Sequence, residues 1–131
     1  KNGNNVKTYS SDAKDMTMPM AALINSDTAG YGELFACDLK DFGKAFLIGE
    51  KTAGRADVQE TFELSDGGAV VLTTSKMLPY ISESFDGNGL TPDTEIIPAD
   101  SLRENLSTLE KERDTQLQAA ISMLAGNSSE G

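Results

Sequence analysis

The sequence predicts an α/β fold built on a short parallel sheet, and three local patterns carry this prediction. Two short apolar runs, residues 18–25 and 44–50, have the length and composition of buried strands. Between them, four apolar residues recur at near-helical spacing from Tyr31 to Leu39, so the order is strand, helix, strand. Farther on, Ser65-Asp66-Gly67-Gly68 separates two strand-like runs and predicts a β-hairpin.

The chain of 131 residues is long enough for one domain with a modest core. Residues 1–17 form a polar N-terminal segment in which Val6 and Tyr9 are the candidates for burial. We expect a core over residues 18–98 and a helical tail over residues 99–131.

The ends of the first helix are predicted from residues that commonly cap helices. One residue of Ser26-Asp27-Thr28 is expected to cap its N-terminus, and Gly43 is expected to follow its C-terminus. Residues 85–92 contain three turn signals and are expected to form a loop.

The hairpin is expected to pair residues 58–64 with residues 69–74. In the tail, Ser101 and Glu104 have capping-box spacing, and Asp114 or Thr115 is expected to cap a second helical segment. Gly126 is expected to end that segment.

The composition narrows the possible functions. A net charge of −10 without a basic run argues against nucleic acid and anionic membrane surfaces as partners. No apolar run is long enough to span a bilayer, and we expect neither membrane insertion nor a leader at the start of this chain. The single cysteine, Cys37, excludes an internal disulfide and most often acts as a small buried hydrophobe.

The absence of histidine removes the usual general base and the usual zinc ligand. A hydrolase built from this chain would need Ser with Lys, or carboxylates with a metal. Glu33, Asp38 and Asp41 are acidic, but their spacing scatters them around a helix. We therefore expect no metal site and no cofactor.

Residues 20–97, together with the weaker segment Asp114–Leu124, resemble the catalytic segment of carboxy-terminal processing serine peptidases, also called tail-specific proteases. The resemblance implies a partial ClpP/crotonase-like core, with one crossover helix, a hairpin and a helical tail. It further implies endopeptidase activity by a Ser-Lys dyad assisted by a Gln, often with an upstream PDZ domain.

The family's catalytic residues correspond to definite positions in this sequence. The family's Ser-Ala-Ser-Ala-Ser-Glu stretch falls on residues 28–33, so the nucleophilic serine corresponds to Gly30. The family's lysine corresponds to Arg55, and its glutamine corresponds to Gln59. The resemblance also implies an oxyanion donor at the backbone N–H of Tyr31, whose larger side chain could occupy the pocket.

The two departures matter because of their chemistry. Glycine has no side chain with which to attack a carbonyl, and arginine stays protonated and cannot accept a proton. Loss of a serine nucleophile costs on the order of a millionfold in turnover. The family's second oxyanion donor lies on an upstream glycine-rich loop, so we expect this chain to be a shortened form or paralogue of a longer one.

Simpler interpretations of the same residues remain open. Gly30 and Gly32 could serve only the strand-to-helix turn, and Gln59 could be merely structural. Arg55 could be an ordinary surface cation, or it could clamp the carboxylate of a peptide. Lys44 and Lys51 do not fit the family spacing of the base, and Ser26 is better explained as a turn residue than as a displaced nucleophile.

These arguments predict a serine-peptidase-family domain that is catalytically inactive, that is, a pseudoenzyme. We expect it to come from a bacterial cell envelope or to be secreted, and this location rests on resemblance alone. The first alternative is a binding module that holds a peptide or a protein C-terminus in the cleft. The second is an active parent in which Gly30 or Arg55 was introduced artificially. Open sheet edges would favour self-association.

Overall fold

The computed structural model describes residues 17–99, 102 and 108–127. Its strands are β1 (Met20–Ile24), β2 (Ala45–Gly49), β3 (Asp57–Glu63), β4 (Ala69–Lys76) and β5 (Thr94–Glu95), and its helices are α1 (Tyr31–Asp41) and α2 (Thr115–Asn127). The order β1, α1, β2, then a hairpin, then a helix confirms the predicted α/β layout. The N-terminal segment and the Ser101 capping box lie outside the described residues.

Three parallel strands form the main sheet in the order β1, β2, β5. Met20 lies opposite Ala45 and Ile24 opposite Gly49, so β1 and β2 pair along their whole length. The strand β5, which the sequence did not predict, joins β2 through Thr94 opposite Ile48. A strand of two residues is too short to give a periodic signal in the sequence.

Helix α1 begins later than predicted. The N-cap is Gly30, and none of Ser26, Asp27 or Thr28 caps the helix. Instead, the Asn25 side chain accepts hydrogen bonds from the Asp27 and Thr28 amides, which folds these residues into a turn. The predicted N-cap was wrong because an Asn side chain can draw the following amides into a turn, which competes with a helix start at the same residues.

The predicted end of α1 is confirmed. The amide of Gly43 donates to the Lys40 carbonyl at 2.9 Å, and the amide of Lys44 donates to the Leu39 carbonyl at 2.8 Å. This pair of bonds is a Schellman motif, with the glycine at a φ of 63°.

The two helices cover opposite faces of the main sheet. Ile24 and Leu47 pack with Ala36 of α1. Ile48 points to the other face and is also fully buried, and α2 contacts β1 and β2 there. The Asp114 carboxylate caps α2 by accepting the Leu117 amide at 2.9 Å, as predicted.

Helix α2 continues to Asn127, so Gly126 does not end it. One glycine costs a helix only about 1 kcal/mol, and such an end can extend by a residue or two. Among the described residues, neither helix is long and apolar enough to cross a bilayer.

The predicted hairpin is confirmed as a separate antiparallel pair, β3 with β4, in which Glu63 lies opposite Ala69. The Leu64 amide closes the turn by donating to the Gly68 carbonyl at 2.8 Å. A second small core of Ala56, Met77 and Phe85 anchors the base of the hairpin. Because this core also contacts the first turn of α1, the hairpin is positioned beside the helix N-terminus.

Candidate functional site

Gly30 lies in the sharp turn between the end of β1 and the start of α1. Its backbone has φ 61° and ψ −123°, a conformation that is costly for any residue with a Cβ. A Cβ placed there would lie 3.8 Å from Met77 Cε and 4.0 Å from the Arg55 carbonyl oxygen. The space could therefore hold a small side chain, although the backbone would resist one.

Glu33 connects this turn to the loop that carries Arg55. The side chain is fully buried, at 0% exposure. Its Oε2 accepts hydrogen bonds from the amides of Gly30 at 3.0 Å and Arg55 at 2.8 Å. Its Oε1 accepts from the Gly54 amide at 2.7 Å and from the Thr52 hydroxyl at 2.5 Å. Four donors thus satisfy a charge whose burial would otherwise be very costly.

The same contacts set the protonation state of Glu33. Burial raises the pKa of the carboxyl group, but the hydrogen bonds from the Thr52 hydroxyl and from the three backbone amides lower it. The net result is a pKa below the ordinary value for Glu. Glu33 is therefore an anion at neutral pH and keeps both oxygens as acceptors.

Further backbone contacts hold the loop from Thr52 to Arg55 in place. The Leu90 amide donates to the Thr52 hydroxyl at 2.7 Å, and the Ala53 amide donates to the Thr28 carbonyl at 3.0 Å. Gly54 has a φ of 74°, and a Cβ there would lie 2.7 Å from the Gly89 amide nitrogen. The position requires glycine because the two chain segments touch.

Arg55 is brought next to Gly30, since both amides bind the same Glu33 oxygen. The Arg55 side chain is exposed and makes no ion pair within the described part of the chain. Its guanidinium is permanently protonated and can donate hydrogen bonds but cannot act as a base. The geometry thus places the backbone of an arginine beside the Gly30 turn.

Tyr31 begins α1, and its amide makes no hydrogen bond among the described residues. Such an N–H at a helix N-terminus suits an oxyanion or a carboxylate. The Tyr31 side chain is 69% exposed, so most of the ring faces solvent instead of filling the space beside Gly30. Apart from residues adjacent to Gly30 in sequence, Met77 lies nearest to that space.

Gln59 lies on β3 opposite Thr73, next to an irregularity between Val58 and Gln59. Its side chain is exposed, and no described hydrogen bond joins it to Gly30 or Arg55. The structure therefore brings together positions 30, 31 and 55, while the role predicted for Gln59 stays a prediction.

The other candidates lie apart from this arrangement. Ser26 is exposed in the Asn25 turn, and Lys51 is exposed just before the loop. Lys44 lies near the start of β2, at the opposite end of the sheet from Gly30, and lines a cavity of about 530 Å³ there. Two of the acidic residues considered for a metal site have different partners. The Asp41 carboxylate accepts hydrogen bonds from the Ser82 amide and hydroxyl, whereas the Glu33 carboxylate points into the loop from Thr52 to Arg55.

Glu33 and Thr52 are the residues whose importance the sequence interpretation missed. A signal for Glu33 existed, because it stands three residues after Gly30, the spacing of a helix N-cap and its N3 partner. No local signal existed for Thr52, which reaches Glu33 across 19 residues of sequence.

Comparison with known proteins places this chain within one class, the serine peptidases related to carboxyl-terminal processing enzymes. The model of peptidase family S41 matches residues 1–96, and the chain belongs to this family. The match confirms the resemblance inferred from the sequence.

Two curated relatives show how much of such an enzyme is present. The chain is 34% identical over 119 residues to the carboxyl-terminal-processing protease of Picosynechococcus, covering 90% of this chain and 28% of the relative. It is 39% identical over 103 residues to the chloroplastic carboxyl-terminal-processing peptidase 1 of Arabidopsis thaliana, covering 77% of this chain and 21% of the relative. The chain thus spans about a quarter of the length of these relatives.

Solved structures confirm the partial fold. The photosystem II D1 C-terminal processing protease superposes with a TM-score of 0.59 at 30% identity, over 70% of this chain and 23% of that protein. An S41 protease of Bacteroides fragilis superposes with a TM-score of 0.65 at 23% identity, over 84% of this chain and 28% of that protein, and supports the fold alone.

Proposed function

We propose that this chain is an S41 domain that does not hydrolyse peptides. The observation that carries the proposal is the pairing of a glycine at position 30 with an arginine at position 55, both held by Glu33. A hydrolase of this type needs a nucleophile and a neighbouring base, and neither position supplies one. The remaining backbone donors cannot replace a loss on the order of a millionfold.

A covalent serine-reactive probe, with mass spectrometry of the labelled peptides, tests this proposal. The Arabidopsis relative serves as the labelling control. We expect no labelling of this chain above that of the heat-denatured protein. Labelling of the folded chain at Ser26, or at any serine beside the turn, would overturn the proposal.

We propose as a second candidate function that the cleft holds a peptide C-terminus. The support is twofold: the Arg55 side chain is exposed without an ion pair among the described residues, and the Arg55 backbone meets that of Gly30, the residue before Tyr31, at Glu33. A guanidinium and an amide are both good donors to a carboxylate. Calorimetric titration with short peptides bearing free or amidated C-termini tests the idea, with Arg55→Gln as the variant. If amidation leaves the affinity unchanged, the role proposed for Arg55 is wrong.

We also propose that the chain self-associates through β1. Among the described strands, β1 lies at the edge of the main sheet, and its sequence, MAALI, has no charged residue to discourage pairing. Sedimentation velocity over a concentration series tests this, with Leu23→Lys, at an exposed position of β1, as the variant that should reduce association. Unchanged sedimentation of the wild-type chain across the series would argue against it.

An extracytoplasmic location is proposed on resemblance. Relatives include chloroplastic and bacterial processing proteases, and a lipoprotein of Streptococcus agalactiae shares the fold at 27% identity and a TM-score of 0.60. Fractionation of the source cells with an antibody against this chain tests the location. Recovery in the cytosol alone would contradict it.

A further inference from the structure

The outward face of α1 is aromatic instead of polar. Ala36 and Cys37 are buried on the inner face, and the opposite face of such a helix normally carries charged or polar side chains. Here Tyr31, Phe35 and Phe42 follow one another along the outside and are 69%, 66% and 53% exposed. Their spacing of four and then seven residues places them along one line of the helix.

A fourth ring extends this line beyond the end of the helix. Tyr80 stacks on Phe42 with ring centroids 5.7 Å apart and is itself 79% exposed. The Asp41 carboxylate fixes the segment that follows, by accepting from the Ser82 amide at 2.8 Å. We call Tyr31, Phe35, Phe42 and Tyr80 the aromatic stripe. Most of the aromatic residues among the described part of the chain lie on it.

Asp38 gives the aromatic stripe a negative charge. It lies three residues after Phe35 and four before Phe42, so it occupies the same face of α1. Its Oδ1 atom is shielded from solvent and has no hydrogen-bond partner among the described residues. Because this atom is out of reach of solvent, Asp38 acts on a cation above the aromatic stripe through the attraction of its charge.

We propose that the aromatic stripe docks a peptide segment in which an arginine or lysine lies among apolar residues. Contiguous exposed aromatic side chains are typical of interaction surfaces. A cation over aromatic rings and beside a carboxylate gains from both, while an acidic partner would be repelled by a chain of net charge −10. A second copy of this chain is a poorer fit, because it carries 21 acidic residues against 11 basic ones.

Fluorescence anisotropy with three labelled nonapeptides tests the proposal on the full chain. The peptides share leucine and phenylalanine flanks and carry Arg, Gln or Glu at the centre, and both ends are blocked. The Arg and Gln peptides have no carboxylate and cannot use the site proposed for Arg55, so their comparison tests this proposal independently of that one. We expect the Arg peptide to bind about tenfold or more tightly than the Glu peptide.

Two variants assign the binding to the surface. Phe35→Ser should weaken Arg-peptide binding about tenfold. Val71→Ser removes an apolar side chain of comparable exposure from β4, 56% against 66% for Phe35, and should leave binding unchanged. Asp38→Asn should abolish the preference for Arg over Gln. Because Phe35 is exposed, these variants are expected to fold. If one variant fails to fold, the NMR signals of the Phe35 and Phe42 rings in the wild-type chain still locate the peptide, with the Phe62 ring as a control.

The proposal is overturned by several results. Absence of binding at about 1 mM peptide would do so. Equal affinity for the Arg and Glu peptides would contradict the proposed cation site. Equal losses in Phe35→Ser and Val71→Ser, or ring shifts confined to Phe62, would place the peptide elsewhere. Self-association that Phe35→Ser abolishes would identify a second copy of this chain as the occupant instead.

Discussion

The Glu33 carboxylate accepts a hydrogen bond from the Arg55 amide at 2.8 Å, although 22 residues separate the two in sequence. The same oxygen accepts the Gly30 amide, so one buried side chain binds the backbone at both positions to which the sequence resemblance assigns the dyad. This carboxylate ties the turn after β1 to the loop after β2.

Replacing Glu33 with glutamine should destabilise the protein by about 2–4 kcal/mol. The substitution removes charge-assisted bonds and turns an amide NH2 group toward backbone N–H donors, which leaves buried groups unsatisfied. Urea denaturation measures the loss. Glu60→Gln, on the exposed surface of β3, is the matched control and should change stability by less than about 0.5 kcal/mol. Equal effects in the two variants would contradict the role of Glu33.

The lowered pKa of Glu33 predicts a loss of stability in acid. A carboxyl group whose pKa falls on folding contributes its full stabilisation above the unfolded pKa, about 4.3 for Glu. That contribution disappears as the pH falls through the lower folded pKa. The free energy of unfolding is measured with urea between pH 7 and pH 3 for the wild type and for Glu33→Gln. Asp41 and Asp93, whose pKa values are also lowered, are present in both proteins, so the difference between the two reports on Glu33. The gap between wild type and variant should narrow below about pH 4.3, and a constant gap would count against the prediction.

Introducing a serine at position 30 should cost stability. Gly30→Ser places a Cβ at a φ of 61° and should destabilise the protein by about 1–3 kcal/mol, although the nearest atoms leave space. Gly32→Ser, two residues on and inside α1, is the control and should be neutral or slightly stabilising, because glycine is a poor helix former. Thermal denaturation compares the two. A neutral Gly30→Ser would show that this turn readily accepts a side chain.

Gly54→Ala should be far more damaging than Gly87→Ala. Both glycines have nearly the same φ, 74° and 73°. A Cβ at position 54 would collide with the Gly89 amide nitrogen, whereas a Cβ at position 87 would meet nothing within 4 Å. We expect about 1–2 kcal/mol for Gly87→Ala from backbone strain alone and at least about twice that for Gly54→Ala. Similar losses would mean that the loop shifts to absorb the methyl group.

The amino-acid sequence by itself determined the parts of this protein that depend on neighbours along the chain. The apolar runs specified β1 and β2, Gly43 ended α1, the Asp66-Gly67 turn set the hairpin, and Asp114 capped α2. In each case the signal lies within a few residues, because hydrophobic periodicity and turn chemistry are local properties. The motifs also predicted the family of the chain, which the match of the S41 family model confirms.

The tertiary structure decided whatever depends on contacts between distant segments. Only the folded chain shows Glu33 binding Thr52, the two residues of β5 joining β2, and Tyr80 stacking on Phe42. It also moved the start of α1 from the Ser26-Asp27-Thr28 turn to Gly30, because the buried Glu33 binds the Gly30 amide together with the loop that follows β2. A carboxylate loses its hydration when it is buried, and the donors that replace the water come from segments that only folding brings together.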